Sequence, residues 1–114
     1  MKNARILIPI ALALGLILLL TPVGQAQQFR ARVQGIVTDE SKAVISNAAV
    51  TLLNINTGIK SVRQSSETGL YLFDGVDPGT YSVAVEIAGF NKFVQENILV
   101  QTGGDVTVNA MLKP

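Results

Sequence analysis

Cysteine, histidine and tryptophan are absent from this chain, and aromatic residues of any kind make up 5% of it. Each absence removes a class of function. Without cysteine there is no thiol nucleophile, no thiolate metal site and no disulfide to brace a small domain. Without histidine the usual base for a serine nucleophile is gone. A serine–lysine pair survives on paper at Ser41-Lys42 and Lys60-Ser61, but neighbours along an extended strand point to opposite faces. These absences predict that the chain is not an enzyme and carries no cofactor. Charge is scarce too: the chain is 15% charged, with a formal net charge of +1. Lys2 and Arg5 open the chain and no acid precedes Asp39, so from Gln27 onward seven basic residues face eight acidic ones. That balance lacks the basic stripe of a nucleic-acid binder.

The N-terminal block MKNARILIPIALALGLILLLTPVGQAQ is what the chain has in excess. Two basic residues lead into an apolar run from Ile6 to Leu20, a Thr21-Pro22 break follows, and small residues end in Gly24-Gln25-Ala26. This three-part layout predicts a secretory signal-peptide helix over 1–26, cut after Ala26, and export to the periplasm, outer membrane or exterior. The alternative, a retained anchor, has only a short apolar run, interrupted by Pro9 and Gly15, against the roughly 20 residues of a full span. No cysteine follows the run to carry a lipid. The mature domain would then be 27–114, close to the small end of chains that fold on a core alone.

From there a period of two dominates. Tyr81, Val83, Val85 and Ile87 alternate with Thr80, Ser82, Ala84 and Glu86; Val106, Val108, Ala110 and Leu112 alternate with Thr107, Asn109, Met111 and Lys113. Val33 and Val37 share a face with Gly35 between them, and a glycine there predicts a bulge or a close backbone approach. Val50 pairs with Leu52 on one face, and Tyr71 with Phe73. Turn residues punctuate the runs at DESK (39–42), NTG (56–58), ETG (67–69), DPG (77–79), AGFN (88–91) and TGG (102–104). The pattern predicts an all-β fold: a seven-stranded antiparallel β-sandwich with strands near 31–38, 49–55, 59–65, 70–73, 80–87, 93–100 and 105–112. The polar run around Lys60, Arg63 and Gln64 suits a sheet edge. Val37, Val50, Tyr71, Phe73, Tyr81, Val83 and Val85 are the predicted core.

Several short signatures fall in order along this frame: Gly35, Val37 and Asp39; Ala48 and Val50; Gly69, Tyr71 and Phe73; Pro78, Gly79 and Tyr81; Gly89 and Phe90. Together they resemble the carboxypeptidase regulatory-like domain, a sandwich of the transthyretin-like, carbohydrate-binding-like type. The resemblance implies an accessory module without catalytic residues. It is most similar to the setting in which such a domain follows the signal peptide of a TonB-dependent outer-membrane receptor, ahead of plug and barrel. A role in the envelope follows as an expectation, with association to the outer membrane through a longer receptor. The chain departs from the family pattern at Lys42, where many members have glycine, and at Ser46-Asn47, where Pro-Gly is common; Asn47 tolerates the left-handed backbone such a turn needs.

Two candidate sites remain. Asp74 and Asp77 flank Gly75, with Asp39, Glu40 and Glu67 in other turns; calcium takes six to eight oxygens, more than any one loop offers, so Asp39, Asp74 and Asp77 read as turn caps and no metal site is expected. The other is a glycan- or protein-binding loop near Asp74, Asp77 and Phe90, the residues of a small carbohydrate-binding protein if that alternative holds. Phe29, Phe90 and Phe93 are the aromatics without an obvious core position. Edge-strand pairing with a protein partner is the further route to binding. Because Tyr81 opens a buried strand face, Tyr81→Ala is expected to cost about 3–5 kcal/mol in denaturant unfolding, and a near-neutral result would take it out of the core.

Overall fold

Alternation of apolar and polar residues forces a chain of this kind into strands with one greasy face, and two such sheets must close on each other. The computed structural model, which describes residues 30–114, does this with β1 (Ala31–Asp39), β2 (Ala49–Asn54), β3 (Lys60–Gln64), β4 (Leu70–Val76), β5 (Gly79–Glu86), β6 (Phe93–Val100), β7 (Asp105–Thr107) and β8 (Ala110–Leu112). One sheet runs β4-β1-β7, with β8 also paired to β1; the other runs β3-β2-β5-β6. The predicted signal segment over 1–26 and Phe29 lie outside the described residues.

Among the described residues the expected seven strands are eight, and the last pairing is parallel rather than antiparallel. Residues 105–112 keep one register along β1, from Arg32 opposite Asp105 to Asp39 opposite Leu112. The ladder is interrupted midway because a side chain takes a backbone position: Asn109 Oδ1 accepts the Ile36 N–H at 3.1 Å. The direction follows from the route. β6 belongs to the other sheet, and the chain crosses back to run alongside β1 in the same sense.

Val33, Val37, Val50, Val83 and Val85 are wholly buried between the sheets, with Tyr71, Phe73, Tyr81 and Leu52 almost so. All seven predicted core residues are therefore inside. Ser65 is buried with them and satisfied on both sides, accepting from Ala48 N at 2.9 Å and donating to Ile45 O at 2.8 Å.

The predicted close approach at Gly35 is a contact across three strands. Tyr71 is the cross-strand partner of Gly35, and its hydroxyl reaches past the glycine to donate to the Val108 carbonyl. A Cβ on residue 35 would lie 1.8 Å from that carbonyl oxygen, well inside any tolerable contact. Burial pushes the Tyr71 hydroxyl up from its ordinary 10.0 to about 12.

Turn geometry answers the two departures from the family pattern. Lys42 has φ of 70° and Asn47 of 61°, both left-handed. Asp39 holds the first turn: its Oδ1 accepts from Ser41 N at 2.8 Å, Ser41 Oγ at 2.6 Å and Ala43 N at 3.0 Å. The Ser41 hydroxyl holds the Asp39 carboxyl below its ordinary range against the opposing effect of desolvation, with the Ala43 and Ser41 backbone donors each adding less.

Two outcomes follow. Lys42→Gly removes a side chain from a left-handed position and is expected to raise unfolding stability by about 0.5–1 kcal/mol, the Cβ penalty less glycine's extra chain entropy; a loss in a denaturant titration would contradict this. Tyr71 is an acid whose folded pKa lies above its unfolded one, so its contribution is complete below pH 10 and lost as pH rises toward about 12. Tyr71→Phe should cost about 1–2 kcal/mol at neutral pH and flatten that alkaline limb in pH-dependent melts.

Candidate functional site

The sandwich opens on the flank where β3 and β4, the outer strands of the two sheets, face each other. Two concavities lie there, and Arg63 lines both. The smaller, about 220 Å³, is lined by Asn54, Ser61, Arg63, Asp74, Asp77 and Tyr81 among others. The larger, about 580 Å³, spreads over the outer face of the β4-β1 pair, with Ile36, Leu70 and Leu72 as its apolar members and Arg63, Gln64 and Ser66 beside them.

Local chemistry explains how each loop arrives. The β1–β4 register slips between Ala31 and Val33, which makes a bulge in β4 at Asp74-Gly75, where Gly75 has φ of 66°. Asp74 Oδ1 accepts the Gly75 N–H at 2.9 Å and so fixes the bulge. Asp77 contributes its backbone: the Tyr81 hydroxyl donates to the Asp77 carbonyl at 2.7 Å, tying the Pro78-Gly79 turn to the core. Across the cleft, Asn54 Oδ1 accepts from Asn56 N at 3.0 Å and Thr57 N at 3.1 Å, shaping the β2–β3 turn.

Asp74 and Asp77 thus share one cleft. Phe90 does not join them. It sits in the turn after β5, with its N–H donating to Ile87 O at 3.3 Å, while Asp77 precedes β5; the full strand separates the two ends, roughly 25 Å by its rise per residue. Phe90 and Phe93 are half-buried and pack on the core. Asp39, Glu40 and Glu67 stand in other turns, and among the described residues no group of three or more His, Cys, Asp or Glu side chains is placed to hold a metal ion.

Arg63 is the edge charge its sequence setting predicts, and it is more than that. It pairs with Val50 across β2–β3, so its side chain leaves the strand on the core face. The guanidinium lies 5.6 Å from the Phe73 ring centroid and Nη1 donates to the Val62 carbonyl at 2.9 Å. The clue available in the sequence was the two-residue spacing of Ser61 and Arg63, but assigning its face requires the register against β2. The groove over Ile36, Leu70 and Leu72 needs the strand order, which residue spacing does not carry.

Known proteins agree with this architecture. A protein of Bacillus anthracis, the TIE protein, superposes with a TM-score of 0.61 at 23% identity, over 72% of this chain and 16% of its own. A putative carbohydrate binding protein from Bacteroides uniformis gives 0.60 at 20% identity, over 73% and 41%, respectively. A streptococcal ancillary pilin gives 0.59 at 10% identity, over 75% and 32%. This chain therefore spans less than half the length of each of these three. No curated protein sequence matches it. The sequence profile of the carboxypeptidase regulatory-like domain matches residues 32–113, nearly the whole of the described sandwich, and the chain belongs to that family.

Proposed function

We propose that this domain is an exported, non-catalytic module with a structural or interaction role in the bacterial envelope, like the domain that stands ahead of the plug in TonB-dependent outer-membrane receptors. The observation that carries the reading is how its polar groups are used. Asp39, Asn54, Asp74 and Ser65 are engaged in turns and strand junctions rather than converging on a reacting centre. What the fold offers to others is therefore its edges and outer faces. The likeness to segments of a pilin and of the TIE protein, each much longer than this chain, supports a modular part. The layout of residues 1–26 supports export.

Glycan binding draws support from the Bacteroides uniformis neighbour's description and less from the site. The cleft holding Asp74 and Asp77 has Phe73 and Tyr81 in its lining, but both rings are buried and present no open face for a sugar to stack on.

Expressed in a bacterial host with a C-terminal tag, the protein is expected in the envelope or periplasmic fraction, with Gln27 as the N-terminal residue in mass spectrometry. A cytoplasmic product that retains Met1 would refute the export reading. A broad glycan array is expected to stay silent.

A further inference from the structure

A two-sheet sandwich leaves unpaired backbone at its outer strands, and this one blocks most of it. β4 carries the Asp74-Gly75 bulge, and the N–H and C=O of Leu70 are taken by Ser66 Oγ at 3.2 Å and Ser66 N at 2.8 Å. β6 slips register opposite β5 between Tyr81 and Val83, with Asn97 at φ of 57° in the bulge. β7 and β8 are three residues each. β3 differs: its five residues pair with β2 in unbroken register from Lys60 to Gln64.

The outward row of β3 follows from parity. Asn54 N donates to Ile59 O and Ser65 N donates to Ala48 O, so the odd-numbered residues turn their backbone to β2. Lys60, Val62 and Gln64 turn theirs away from the sheet. Among the described residues, the hydrogen bond reaching this row comes from Arg63, which covers the Val62 carbonyl. The strand carries two cations, Lys60 and Arg63, and no acid. The adjoining groove of about 580 Å³ adds Ile36, Leu70 and Leu72, with Arg63 as the charged residue in its lining.

We propose that β3 is a docking edge for an extended peptide segment of a partner protein, in which an Asp or Glu faces Arg63 and an aliphatic residue two positions away lies in the groove. The partner carboxylate draws the guanidinium into a bidentate pair, which uncovers the Val62 carbonyl for the incoming strand's N–H. Strand addition then supplies main-chain bonds at Lys60, Val62 and Gln64, and the groove selects the side chain. The two-residue spacing follows because those partner side chains share a face. The inference rests on the interaction-module reading and is independent of where the protein resides.

Panning a random eight-residue phage-displayed library on the purified protein tests it. Enriched sequences should share an acidic residue two positions from an aliphatic one. A synthetic copy should shift the NMR amide signals of residues 60–64. Arg63→Glu should weaken that peptide about tenfold or more, with affinity recovered when its acid is changed to lysine. Val62→Pro removes the outward N–H while leaving the β2 ladder intact, and should abolish binding at an unchanged melting temperature; if it unfolds the protein, the charge swap decides. No enrichment, enrichment without the acid, shifts centred on another strand, or sedimentation showing that β3 pairs with a second copy would each overturn the proposal.

Discussion

The hydroxyl of Tyr71, donated across a bare Gly35 to the Val108 carbonyl, joins β4 and β1 to the break between β7 and β8, segments that lie far apart in the chain. Much else depends on it. With no disulfide available, the closing strand must be held by packing and hydrogen bonds alone. β7 and β8 are too short to hold themselves, and between them the ladder yields to the Asn109 side chain. The tyrosine secures the chain at that interruption, and the missing side chain at position 35 is what lets it pass. A buried phenol normally needs a partner; here its partner is also the carbonyl at the strand break.

A similar economy marks the flank. Arg63 points inward from an outer strand, covers the Phe73 ring and occupies the Val62 carbonyl. An inward cation is a recognised way to discourage indiscriminate sheet growth. Bulges at β4 and β6 bend the other long edges. This sandwich is thus closed by local devices, each a few residues long, and among the described strands β3 is the edge guarded by a charge rather than by backbone distortion, which a charge can reopen.

Most of the fold was legible because burial follows a period of two, and the predicted core faces of β1, β2, β4 and β5 are the observed ones. Residues 105–112 show where that stops. Val106, Val108, Ala110 and Leu112 keep their alternation straight through the interruption, so spacing alone reads one strand where hydrogen bonding makes two. Its parallel partner was hidden because direction depends on which sheet precedes it. At the candidate site, the Asp74-Gly75 bulge and the Pro78-Gly79 turn place Asp74 and Asp77 in the same cleft. Phe90 lies elsewhere because an eight-residue strand intervenes. Arg63 was visible as a charge, but its inward direction exists only relative to Val50 on the neighbouring strand.

The parallel register of the first and last strands has a mechanical consequence. Asp105 lies beside Arg32 and Leu112 beside Asp39, so the chain enters the sandwich at one pole and leaves at the other. Tension applied through the two ends would load the bonds between β1 and its neighbours in shear, many at once, instead of peeling them apart singly. A domain threaded in this way behaves as a stiff link in a tether.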